Sequence, residues 1–208
     1  NNFCTLNPVR KQTDQCHFDQ GNLQASGSST SYPGAVGTIA LSSGKWYYEF
    51  QIDTYTTSGN DPMVGICRND YVGGGANRIV YRAGGHYITH TPSEPSDPAS
   101  FNVGDIIGVA LDLDDAAGKI RFYKNGSLQP ILANGDLDDV KSDLSISLLG
   151  GVSPYVQMYT NDVCTVNFGQ RPFSYTPPSG HKKLIVNTNN SFLDNDTPSI
   201  ICLLYTSD

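Results

Sequence analysis

The sequence predicts an all-β chain folded as an antiparallel, two-sheet, bent sandwich. Three observations carry this. "GKWYYEFQID" (Gly44 to Asp53) alternates: Trp46, Tyr48, Phe50 and Ile52 fall on one side of an extended chain, and Tyr47, Glu49, Gln51 and Asp53 on the other. Period two over so many residues marks a strand with one apolar and one wet face. Asn125-Gly126 sits between two short runs, the signature of a two-residue hairpin. About a dozen such runs, with almost no helical period, fit two packed antiparallel sheets.

The elements follow in order. The first forty residues are polar and turn-rich, with short strands at "NLQAS" (Asn22 to Ser26) and "VGTIAL" (Val36 to Leu41) around the loop "GSSTSYPG". The long alternating strand ends in the loop Thr56 to Pro62, and "MVGIC" (Met63 to Cys67) is a short buried strand. A glycine-rich loop, Arg68 to Arg78, leads to "IVYRAGGHYITH", two short strands about Gly84-Gly85. Thr91 to Ser100 is a proline-rich loop. "DIIGVALDLD" (Asp105 to Asp114) is apolar on one face and small on the other, through Ile106, Gly108 and Ala110, which suits a central strand approached closely from its second side. "DDAAG" turns the chain into "KIRFYKNG". Gln129 to Gly151 reads as a long loop with one turn of helix. "PYVQMY" (Pro154 to Tyr159) and "VCTVNF" (Val163 to Phe168) are strands joined by the tight turn "TND".

One sandwich domain is expected over residues 1–186, followed by a polar tail from 187 to 208. Within that tail "IICLLYTSD" turns abruptly apolar without periodicity. It reads either as a short terminal strand or as a peptide translated from sequencing-adapter DNA. The chain opens on Asn1 rather than Met, as a fragment or a processed product does. Its 208 residues bury enough surface, roughly 70% of the unfolded total, to fold without a disulfide or a metal.

Charge and composition narrow the function. A formal net charge of −7 with scattered Lys and Arg repels phosphate backbones and leaves no basic stripe, so nucleic-acid binding is not expected. No apolar run reaches membrane-spanning length, and no membrane insertion is expected. Five cysteines, an odd number without a C-x-x-C pair, read as free buried thiols, with a Cys4–Cys16 bridge left open.

Four stretches together resemble the SPRY domain: "GKWYYEF", "VGIC", "FNVGDIIGVALDLDDAAGKIRFYKNG" and "SPYVQMYTNDVCTVNFGQRPF", within about Val36 to Phe173. The third is the most specific, because a "GD-IG---D" strand precedes an "I-F--NG" hairpin in that family. The resemblance implies a concanavalin-like jelly roll that binds proteins or peptides through edge loops, without catalysis or cofactor. "NNFCTLNPV" and "FSYTPPSGHKKL" are also similar to SPRY proteins of tailed bacteriophages, which implies a virion or host-recognition setting. A lectin-like module reading a cell-surface glycan and a purely structural virion decoration protein are the alternatives.

Chemical motifs are sparse. Sandwich glycosidases need two carboxylates flanking one sugar. Here the only glutamates are Glu49 and Glu94, and no second glutamate follows Glu49 at the Glu-x-Asp-x-x-Glu spacing. No G-x-S-x-G elbow occurs. Asp112, Asp114 and Asp115 read as an acidic turn rather than an EF-hand, and His86 with His90 lack a third ligand, so no metal site is expected. "YVGGGA" lacks the Lys-Ser/Thr of a phosphate loop. The sole tryptophan, Trp46, lies on the apolar face and is assigned to the core. The binding residues are expected in and beside the glycine-rich loop, where the family places a ligand-contacting loop. They are Arg68, Asp70, Tyr71 and Arg78, with Tyr81, Arg82 and Tyr155 as further anchors and Tyr55 beside them.

Overall fold

A computed structural model of the chain describes residues 2–55, 61–70, 77–89, 98–130, 136–144, 150–186 and 200–201. In chain order the first strands are β1 (Asn2–Phe3), β2 (Leu6–Lys11), β3 (Cys16–Asp19), β4 (Gln24–Gly27), β5 (Gly34–Gly37) and β6 (Ala40–Leu41). Next come β7 (Lys45–Thr54), β8 (Met63–Arg68), β9 (Arg78–Arg82), β10 (His86–Ile88), β11 (Ile106–Asp112), β12 (Lys119–Lys124) and β13 (Ser127–Leu128). The last are β14 (Val152–Gln157), β15 (Val163–Asn167), β16 (Lys182–Lys183), β17 (Ile185–Val186) and β18 (Ile200–Ile201). A 3₁₀ turn (Asp136–Asp138) and the one-turn helix α1 (Val140–Asp143) interrupt them.

Apart from a two-stranded antiparallel ribbon of β1 and β17, the strands form the two sheets expected. One has the order β10-β9-β8-β14-β5-β2, with β6 beside β14 and β18 beside β6. The other has the order β13-β12-β11-β7-β15-β4-β3, with β16 parallel to the start of β7. Trp46, Tyr48, Phe50 and Ile52 from β7 enter the space between the sheets, where Val109, Leu111, Phe122 and Val166 join them in one core. Tyr48 Oη reaches across this layer to donate to the Gly65 carbonyl at 3.1 Å. Asn125 (φ 48°) and Gly126 (φ 78°) form the hairpin turn, each in the left-handed region that such a turn requires.

Several elements depart from the sequence reading. The first forty residues hold β2 and β3 as well. β2 carries Pro8 and lies at a sheet edge, where a missing N–H is tolerated. β14 and β15 are not hairpin partners: they lie in opposite sheets, joined by a corner at Tyr159–Asp162. Within the long loop after Gln129, Leu137, Val140 and Leu144 are buried in the main core. Cys4 and Cys16 are buried free thiols, so no Cys4–Cys16 bridge forms. Burial pushes the Cys4 thiol up to about 12 and the Cys16 thiol up to about 11.

The largest departure is on the second face of β7. Tyr47 and Glu49, expected to be wet, are 1% and 2% exposed. After β15 the chain swings over this face and returns as β16 on the same side of β7. The crossing segment covers both residues: Phe173 stands edge-on to the Tyr47 ring at 5.0 Å. Ser174 N–H donates to Glu49 Oε2 and Tyr175 N–H to Glu49 Oε1, both at 2.9 Å. Tyr47 lies over Gly108, where a Cβ would sit 2.4 Å from its hydroxyl. This is the close approach that the small residues of β11 foretold.

Gly65 is fixed by backbone rather than by a side chain. A Cβ there would lie 2.2 Å from the Ile79 carbonyl oxygen and 2.9 Å from Val80 Cα. Gly65→Ala is therefore expected to destabilise the fold by about 1–3 kcal/mol, the usual range for overpacking. Urea unfolding measures it, and an unshifted midpoint would show that the β8–β9 ribbon opens freely.

Candidate functional site

The outer face of the β10-β9-β8-β14-β5-β2 sheet carries a groove. Strand alternation sends every second residue to this face. The register then lines up Gly34, Gln157, Met63, Arg82 and His86 across five strands. The next row is Val36, Tyr155, Gly65, Val80 and Ile88, and beyond it Ser153 faces Cys67 and Arg78. Val36, Met63, Cys67, Val80 and Tyr155 form a second apolar cluster, with Tyr32 and Ile88 partly buried against it.

Above this cluster lies an open cavity of about 380 Å³. Gln12, Ser31 and Tyr32 line it together with Met63, Arg78, Gln157, Arg82 and Ile88. Tyr32 holds φ 53°, a conformation uncommon outside glycine and frequent where function fixes a side chain. Its ring leans on Tyr159, centroids 5.2 Å apart. Burial raises its phenol above the ordinary value.

Polar groups of the groove are tied together. Gln157 Nε2 donates to the Tyr32 carbonyl at 2.6 Å, and Gln157 Oε1 accepts from Arg78 Nη1. Arg82 Nε stands 2.9 Å from Asp61 Oδ2, and the other Asp61 oxygen accepts from Tyr55 Oη. Arg78 differs in charge balance: it is 9% exposed and no carboxylate pairs with it among the described residues. Its Nε has no hydrogen-bond partner.

The residues expected at the site are scattered. Arg78 and Arg82 line the groove. Arg68 and Asp70 bind each other instead, in a fork of 2.8 and 2.9 Å, while Arg68 Nη1 donates to Asn77 Oδ1 at 3.0 Å. The hydrogen bonds from Arg68 hold the Asp70 carboxyl below the ordinary range. Tyr81 is fully buried between the sheets, edge-on to Phe101 and Phe122, and Tyr155 is fully buried in the second cluster. Neither ring has surface left for a partner. Tyr71 lies outside the described residues, as do Glu94 and His90. Tyr32, Gln12, Met63 and Gln157 were not foreseen. The alternation of Tyr155 and Gln157 in "PYVQMY" was the available signal for one of them.

Two other chemistries find little support. Glu49 is closed off, because its oxygens accept from two backbone amides and from Tyr47 Oη at 3.2 Å. Asp112 accepts from the N–H groups of Asp114 and Asp115, both at 3.1 Å, and pairs with Lys45 Nζ at 2.7 Å. Burial raises the Asp112 carboxyl, but Lys45 and these amides outweigh it and hold the group below the ordinary range. No group of metal-ligating residues occurs among the described residues, and none of their helices is long and apolar enough to cross a membrane.

Comparison with known proteins agrees with this architecture. The family model of the SPRY domain matches residues 45–171. The SPRY domain of human HERC1 superposes with a TM-score of 0.64 at 21% identity, over 80% of this chain and 99% of that one. A further human SPRY domain superposes with a TM-score of 0.57 at 18% identity, over 76% of this chain and 98% of that one. No curated protein matches in sequence. On the extent of the family match, and with the two-sheet sandwich beneath it, the chain belongs to the SPRY domain family.

Proposed function

We propose that the groove over β5, β14, β8 and β9 is the binding site of a non-catalytic module and takes a protein or peptide segment. SPRY domains are generally protein–protein interaction modules. One observation carries the assignment to this face: a tyrosine in a left-handed conformation overhangs a cavity floored by methionine, arginine and glutamine. Tyrosine and arginine are the residue types that dominate binding energy, and methionine adapts to apolar partners. Among the described residues the groove's lining includes no carboxylate and no histidine, the usual members of a general acid–base pair. The phage virion setting rests on the similarity of the two terminal stretches to phage SPRY proteins, and host recognition is the role it suggests.

Tyr32→Asn tests the site, because asparagine tolerates a positive φ while the ring is lost. Affinity for peptides selected from a displayed random library is expected to fall by about 2 kcal/mol or more, with little change in Tm. Unchanged affinity would move the site elsewhere. Binding on a glycan array that Tyr32→Asn abolishes, with no selected peptide, would replace the peptide reading by the lectin-like one.

A further inference from the structure

We infer that Arg78 is an anion hook, and that the segment bound in this groove presents one carboxylate, an Asp or Glu side chain, to its guanidinium. The inference rests on the groove being a peptide site. Its own observation is the charge balance of that face.

A guanidinium removed from water needs hydrogen-bond acceptors and a counter-charge. Arg78 has one acceptor, the Gln157 side-chain oxygen. Its neighbour Arg82 is compensated by Asp61, whose second oxygen is taken by Tyr55. The Arg68 fork is filled by Asp70, and Arg10 donates to the neutral Asn69 at 2.8 Å. Asp61 and Asp70 are thus engaged, and the other polar groups lining the cavity among the described residues are amides and hydroxyls: Gln12, Ser31, Tyr32 and Gln157. Arg78 therefore stands in the wall of a cavity with no paired carboxylate among the described residues, in a chain whose net charge is −7.

Nε is buried as well as unpartnered, so a carboxylate arriving in the cavity supplies the missing counter-charge rather than a bond to Nε. Gln157 occupies Nη1, and it is itself held by the Tyr32 carbonyl, which orients the guanidinium beneath the overhanging ring. A phosphate, near two negative charges, would need a second cation in the cavity wall, and the other arginine lining it among the described residues, Arg82, is paired with Asp61.

The test uses the full chain and peptides from a displayed random 12-residue library. Selected peptides are expected to share an acidic residue at one position. Three synthetic versions of such a peptide are then compared: the acid, its amide (Asp→Asn or Glu→Gln), and phosphoserine at that position. On the unmodified chain the amide is expected to bind about tenfold or more weakly than the acid, as befits a charge-assisted hydrogen bond, and phosphoserine no better than the acid. In Arg78→Gln the difference between acid and amide should vanish, and in Arg78→Lys it should shrink, because the charge stays but the planar guanidinium that Gln157 holds is lost. The acid–amide comparison needs no protein variant and stands even if Arg78→Gln fails to fold. Peptides that bind in a Tyr32-dependent way but without an acidic position, or an acid–amide difference that survives in Arg78→Gln, would overturn the hook and leave the peptide site intact. Tighter binding of phosphoserine would overturn the choice of carboxylate. Absence of any selected peptide would overturn the groove as a peptide site, and the hook with it.

Discussion

Trp46→Ala is expected to lower the stability of the fold by about 3–5 kcal/mol, the range for removing a large aromatic from a core. The residue is 4% exposed and belongs to the main cluster between the sheets. It sits at the start of β7, opposite Leu111 of β11 and beside Lys182 of β16. Its indole N–H donates to the Ser43 carbonyl at 2.7 Å, and the ring lies against Gly44, where a Cβ would come within 2.8 Å of Nε1. The ring has no room to be replaced by a neighbour, so its loss leaves a cavity and an unsatisfied carbonyl. Trp46→Phe should cost less, because it refills most of the space and forfeits only the hydrogen bond. Because the chain has one tryptophan, circular dichroism rather than fluorescence should follow urea unfolding. A cost under about 1 kcal/mol would show that the indole is not a core element. Groove affinity, measured well below the midpoint, should stay unchanged in the same variant.

Glu49→Leu should be of similar size, about 3–5 kcal/mol, but for the opposite reason. Here nothing shrinks; donors lose their acceptor. The Ser174 and Tyr175 amides and the Tyr47 hydroxyl all point at this carboxylate, and no cation pairs with it among the described residues. Each buried donor left unsatisfied costs about 1–3 kcal/mol. Glu49→Gln should recover only part of the loss, since one of its two terminal atoms becomes a donor facing a donor. Hydrogen exchange gives the local reading: the Ser174 and Tyr175 amides should lose protection in both variants before the rest of the sheet. Retained protection in Glu49→Leu would mean that the crossing segment is held by Phe173 and Tyr175 packing alone.

These two residues also show what one strand's sequence reveals. Alternation placed Trp46 and Phe50 in the core, because a period of two is a property of β7 itself. It placed Glu49 and Tyr47 in water for the same reason, and failed, because their cover arrives from residues 125 and more positions away. A polar side chain satisfied by distant backbone looks the same in sequence as one satisfied by solvent. The short edge strand "LNPVRK" was hidden by its proline and its lack of a buried row. Arg78 and Arg82, which line the groove proposed above, were named because they close a glycine-rich loop and the strand after it. Tyr81 and Tyr155 were misplaced because "RIVYR" and "PYVQ" are buried on both faces, so no pattern says which ring meets solvent. Tyr32 depends on a single left-handed residue in a polar loop, and Gln157 on cross-strand register. Neither leaves a periodic trace.

The two-residue ribbon β1–β17 ties together two points that lie far apart in sequence. Asn2 faces Val186 and Phe3 faces Ile185, and Cys4 N–H continues the ladder by donating to the Leu184 carbonyl at 3.2 Å. The backbone at Asn2 and at Val186 thus runs side by side, about 5 Å apart, the spacing of neighbouring strands. A tug applied between these two points would pull apart this two-residue zipper first, with the load on β1 and β17 rather than on the groove.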